Sequence, residues 1–124
     1  MSALTWAAFS IAAAAGAVLR YLVDGRLAEG ADGAFPWGTW VVNVTGSFVA
    51  GLLSGLALHH ALPVRPRVVL ITGLCGAYTT FSTFTAETVR LIEEGRLAAA
   101  ARNVSGTALA AALAAGAGLA LASI

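Results

Sequence analysis

Apolar positions along this chain fall into four long runs separated by short polar segments. The first begins at Ala3 and continues past Arg20 and Tyr21 to about position 23, where Asp24 closes it. The segment from Gly25 to Ala34 holds Arg26, Glu29, Asp32 and several glycines, a composition that predicts a loop outside the hydrocarbon. The second run opens after Pro36 with Trp37 and Trp40, aromatics suited to a membrane interface, and reaches about Leu62, with His59 and His60 at its far end. Pro63, Arg65, Pro66 and Arg67 predict a tight connection to a third run over residues 68–92. Glu93, Glu94, Gly95 and Arg96 predict a last turn before an Ala-rich fourth run over residues 98–123. A hydrocarbon core about 30 Å thick takes about 20 apolar residues per helix, so the pattern predicts an all-α integral membrane protein with four spans in one domain, residues 1–124.

The third run is unlike the others. Gly73, Gly76, Thr79, Thr80, Ser82, Thr83 and Thr85 crowd its middle, and that load of glycine and hydroxyl predicts a broken third helix. A break frees backbone carbonyls, which survive at that depth only when buried in protein or facing water, and a ring of them can hold a cation.

Composition agrees with the pattern: of 124 residues 59% are hydrophobic and 10% charged, with a mean hydropathy of +0.85, far from the usage of soluble domains. No room remains for a soluble domain, and three further runs after the first argue against reading the N-terminus as a cleaved signal. The charge is +1, from 7 Arg and 6 acids held in the connecting segments, which makes nucleic acid an unsuitable partner. Cys75 is the lone cysteine, so no intrachain disulfide is possible and its thiol reads as a small apolar packing group.

Arg20, Arg26, Arg90, Arg96 and Arg102 fall on one side of the membrane, and Arg65 and Arg67 on the other. Arg20 and Arg102 can lie within their spans, and without them the bias is weak. A weakly biased chain can insert both ways and pair antiparallel, although one fixed orientation stays open on charge alone.

Candidate chemistry follows the polar residues inside the runs. Thr39, Asn43, Ser47, Gly51 and Gly55 recur every four residues and form one small, polar stripe for close helix packing. Asn43 either bonds a neighbouring helix or offers its two N–H donors to a dehydrated anion. Phe81 and Phe84 share a face, where they either pack or turn their positive ring edges to an anion. Asn103 and Thr107, four apart, read equally as a second polar wall or as capping and interhelical bonding. Arg20 serves either as an interfacial anchor or in an anion-attracting vestibule. Glu87, three residues before Arg90, predicts a helix-end ion pair, and the His59–His60 pair has no partner at metal-ligand spacing. The sequons at Asn43 and Asn103 fall in or at spans and are discarded.

Taken together these residues resemble the CrcB/Fluc family of fluoride channels over nearly the whole chain. The resemblance rests on Gly16-Ala17 with Arg20-Tyr21, Gly38-Thr39 with Asn43 and Gly46-Ser47-Phe48, and Gly73-Leu74-Cys75-Gly76 followed by Thr79 through Phe84. It implies an antiparallel dual-topology homodimer in the cell (inner) membrane with two pores, passing fluoride passively, rejecting chloride and protecting the cell from fluoride toxicity. It also implies a structural sodium ion (Na+) at the dimer centre, held by backbone carbonyls of Gly76 and Thr79 from both subunits. Phe81 and Phe84 would present ring edges to fluoride, Asn43 its amide, Ser82, Thr83 and Thr107 polar pore groups, with Thr39 beside them and Arg20 in the vestibule. Ala12, Ala13, Ala77 and Ala111 depart from the family pattern, Ala111 where a hydroxyl is frequent.

Two rival classes fit less well. A small multidrug exporter, also a four-span dual-topology dimer, would carry an acid within its first span, whereas the first acid here is Asp24. A non-conducting helper subunit would leave the run from Thr79 to Phe84 without a purpose. No nucleophile with a base, metal-ligand cluster or phosphate loop points to an enzyme.

Overall fold

The computed structural model describes residues 1–29 and 35–124, all helical or in short turns. Helix α1 spans Ala3–Glu29 and α2 spans Trp37–His59. The third span is composite: a turn α3 at Val64–Arg67, a π-helical stretch at Val68–Cys75, a turn α4 at Gly76–Tyr78 and, after an interruption, helix α5 at Ser82–Glu93. Helix α6 spans Leu97–Ala122. Four stretches are therefore long and apolar enough to cross a bilayer, the third running from Val64 to Glu93.

Several boundaries differ from the sequence reading. Helix α1 continues through Gly25 to Glu29, so the expected loop starts later, and its remaining residues 30–34, Asp32 included, lie outside the described part. Asp24 thus belongs to α1, close against Gly38 at the start of α2. Pro66 and both of its flanking arginines sit in the α3 turn rather than in a connection, because proline is tolerated in a first helical turn. Helix α2 ends at His59, with Ala61 following at a φ of 53° and Leu62 N–H donating to the Leu56 carbonyl.

Helix α2 packs most extensively on α6, and glycines set the distance. A Cβ at Gly51 would collide with the Ala115 carbonyl, and one at Gly118 with the Phe48 carbonyl. The small stripe of α2 is thus what lets two backbones touch, the usual device where lipid removes the hydrophobic drive between helices. Helix α1 lies on the π-helical stretch, and Gly16 meets the Leu74 carbonyl closely there. Helix α5 rests on α6 through Leu91, Ala99 and Ala100 and completes the fold. Between 6 and 17% of each span's most apolar window is buried within the chain, so most helix surface faces lipid or another subunit.

Candidate functional site

The interruption of the third span lies at Thr79–Phe81, three residues after Gly76 and six after Gly73, the glycines expected to cause it. Gly76 itself is helical, at φ −63° and ψ −36°, whereas Thr79 turns extended at φ −75° and ψ 159°. Gly73 serves packing instead, against Phe9 of α1, and Gly76 is exposed.

What holds the interruption open is Asn43 from the middle of α2. Its Oδ1 accepts the Thr80 N–H at 2.8 Å and its Nδ2 donates to the Thr80 carbonyl at 2.9 Å. Both bonds are buried, and they satisfy the two backbone groups that the helix would otherwise pair. Thr80 in turn starts α5: its Oγ1 accepts the Thr83 N–H at 3.1 Å, as an N-cap does. The same hydroxyl donates to Thr83 Oγ1 and meets Ser82 Oγ, each at 3.2 Å, so the three hydroxyls form one cluster at the helix start. Among the described residues the N–H groups of Phe81 and Ser82 have no acceptor.

On the other side of the interruption the Cys75 carbonyl accepts both the N–H and the hydroxyl of Thr79, each at 2.9 Å. Since Thr80 N–H goes to Asn43, the Gly76 carbonyl does not receive it. Arg20 reaches inward, and its Nη1 donates to the Thr79 carbonyl at 3.2 Å. A guanidinium near mid-span is costly unless it meets such oxygens.

Beside the interruption runs a groove of about 340 Å³ whose walls include Asn43, Ser47, Thr79, Thr80, Phe81 and Phe84 from α2 and the third span. Its far wall is Thr107, Ala108 and Ala111 on α6. Asn43, Phe81, Phe84 and Thr107, read from sequence as pore groups, therefore meet in one cleft with Thr79. Phe81 is 76% exposed, and its ring centroid lies 6.0 Å from that of Phe84 at an interplanar angle of 39°. Ala111 leaves the groove apolar at that point.

Ser82 and Thr83 stand behind the rim, bonded to Thr80, and Arg20, Thr39 and Gly76 do not line the groove. Thr39 is buried beside Glu87, the two side chains facing each other between α2 and α5. Glu87 consequently does not form the expected ion pair with Arg90; the ion pair among the described residues is Arg96 with Glu94, at 4.0 Å. Asn103 is not a cap, since α6 begins at Leu97; fully buried, it bonds Thr88 on α5. Sequence reasoning missed Thr80 and Ser47 as groove residues. A threonine just ahead of a helix start, the residue type that caps one, was the available signal for Thr80.

A four-span membrane protein with a cleft of mixed aromatic, aliphatic and polar lining at an interrupted helix is the class that these features define, and the comparisons make it specific. Residues 7–119 match the family described as CrcB-like protein, Camphor Resistance (CrcB). A protein of Frankia casuarinae named "Fluoride-specific ion channel FluC 1" is 48% identical over 124 residues, covering 96% of both chains. One of Leifsonia xyli subsp. xyli, also named "Fluoride-specific ion channel FluC 1", is 49% identical over 100 residues, covering 81% of this chain and 73% of its own. One of Nitrobacter winogradskyi, named "Fluoride-specific ion channel FluC", is 46% identical over 95 residues, with 76 and 75% covered. The chain belongs to the CrcB/Fluc family, a family of multi-pass membrane ion channels and not of enzymes.

Proposed function

We propose that the protein is a fluoride-selective channel that lets fluoride leave the cell passively, down its electrochemical gradient, and so limits the fluoride accumulated as hydrofluoric acid. The observation that carries this reading is the groove, which gathers Asn43, Phe81, Phe84 and Thr107 beside the start of α5. Fluoride holds its water tightly, so a selective path must offer hydrogen-bond donors and positive ring edges in place of that shell. Asn43 spends one amide N–H on Thr80 and keeps its second, and the Phe81 and Ser82 N–H groups add donors at the positive end of a helix. Chloride, larger and more weakly basic, gains less from the same donors. The anion path needs no fixed positive charge in the groove itself, and Arg20 contributes positive potential from one side of the interruption.

The working unit in this reading is an antiparallel, dual-topology homodimer. Support comes from the interruption: among the described residues no N–H donates to its Gly76 carbonyl, and Gly76 is exposed near mid-span. An unpaired carbonyl does not face lipid, and a second copy inserted upside down would cover it. A structural sodium ion at the centre fits the chemistry of the same segment. The Gly76 carbonyl is free for a cation, and the Thr79 carbonyl, with Arg20 on one lone pair, retains a second. Sodium would supply the positive charge that holds opposed carbonyls together between subunits.

Asp24 does not favour the exporter. It lies eight residues beyond Gly16, the middle of α1, about 12 Å along the axis and against the start of α2. The test of the groove is fluoride efflux from liposomes with Phe81→Ile. Assembled dimers that lose fluoride flux are the expected result, and unchanged flux refutes the ring-edge role.

A further inference from the structure

Thr107 is the groove's polar group on α6, and its hydroxyl has one proton to give. The structure shows where that proton goes. Thr88 Oγ1 donates to the Phe84 carbonyl one turn back, at 2.8 Å, because a carbonyl can only accept. With its proton committed, Thr88 Oγ1 must accept from Asn103, 2.8 Å away, so the NH2 of Asn103 faces α5. The carbonyl end of the same amide then faces Thr107, whose hydroxyl donates to it at 3.2 Å. The direction of every bond follows from the Phe84 carbonyl, independently of how the Asn103 amide is drawn.

We infer that Asn103 is a positioning residue for the pore: through the chain Thr107 to Asn103 to Thr88 to Phe84 it fixes the Thr107 proton away from the groove, so that Thr107 offers the groove lone pairs only. This inference rests on the groove being the fluoride path. Asn103 is 0% exposed, and swinging the Thr107 proton into the groove leaves its amide oxygen bare in a medium without water. In the resting arrangement Thr107 therefore binds the hydrogens of water or of a hydrated ion and does not donate to bare fluoride. The donors to the ion lie across the groove, at Asn43 and the start of α5. The two walls differ in polarity, although the sequence gives both an amide and a hydroxyl.

Thr88 stands outside the groove lining and controls the device. In Thr88→Val the Asn103 amide has no acceptor on α5 and gains by turning its NH2 to Thr107, which then accepts and frees its own proton for the groove. The test is a double-mutant cycle of Thr88→Val and Thr107→Val, read as fluoride efflux from liposomes with dimers verified by size exclusion. Thr107→Val alone removes the lone pairs that the hydroxyl offers the groove, and its effect on efflux in the parent protein is the reference for the cycle. In the Thr88→Val background the effect of the same change should differ from that reference by at least about fivefold. Thr88→Ser, which keeps both a donor and an acceptor, should behave as the parent protein. Equal effects of Thr107→Val in both backgrounds overturn the inference. So does Thr88→Ser behaving like Thr88→Val. Parent protein that passes no fluoride defeats the channel reading instead, so the two failures are distinguishable. Should Thr88→Val not assemble, proton contacts in the parent protein decide: the Asn103 NH2 near the Thr88 methyl agrees, and the NH2 near the Thr107 methyl contradicts.

Discussion

Replacing Asn43 by alanine removes the acceptor of the Thr80 N–H and the donor to the Thr80 carbonyl in one step. No other side chain among the described residues bonds either group, and water is scarce at mid-membrane. Interhelical bonds in membranes are worth about 0.6 kcal/mol on average and about 1.7 at most, because the unfolded chain also finds partners there. Two bonds lost together give about 1–3 kcal/mol, a change of about 5- to 150-fold in the folding equilibrium. The assay is thermal unfolding of the purified protein in detergent, paired with fluoride efflux from liposomes. Asn43→Ala should lose both stability and flux, because the residue holds the interruption and lines the groove. Loss of flux at unchanged stability would show a pore donor only and would refute the claim that Asn43 holds the third span open. Asn43→Asp refines the measurement. It keeps an acceptor for the Thr80 N–H but turns an oxygen towards the Thr80 carbonyl, and should be no more stable than the alanine variant.

Other predictions concern packing, turns and the cation. Gly118→Val drives a side chain into the Phe48 carbonyl and Leu52 N–H of α2, and should cost about 1–3 kcal/mol in the same unfolding assay, since two backbones cannot both withdraw. Ala61→Gly relieves an alanine held at a φ of 53° and should stabilise by about 0.5–1 kcal/mol; a loss would mean that the Ala61 methyl is engaged in packing. Exchange of sodium for a bulky organic cation should lower the thermal stability of the dimer, and indifference to the exchange would remove the structural sodium from the account.

The four spans were legible because their signal is local: apolar runs of the right length need no knowledge of the partner. The abnormal centre of the third span was legible too, but its cause was misplaced. Glycine was expected to break the helix, yet Gly73 and Gly76 remain helical, and the interruption sits where Asn43 captures the Thr80 backbone from 37 positions away. No local pattern reports such a pairing. Spacing likewise left Asn103 undecided between cap and interhelical bond, since only the start of α6 at Leu97 and the position of Thr88 distinguish them. The Glu87–Arg90 spacing was correct for a surface helix, but here Glu87 turns towards Thr39. Asn43, Phe81, Phe84 and Thr107, which the family resemblance names together, share one groove, whereas residue type alone left each of them a packing or bonding alternative. Thr80 was overlooked because its backbone bonds to Asn43 leave no mark on the sequence and its capping hydroxyl is one of several in that run.

Fluoride efflux from liposomes carrying the purified protein, followed with a fluoride electrode beside an identical chloride-loaded preparation, tests the central claim most directly. The account predicts rapid release of fluoride with chloride retained. Verified folded dimers that release neither ion, or both at similar rates, would contradict it.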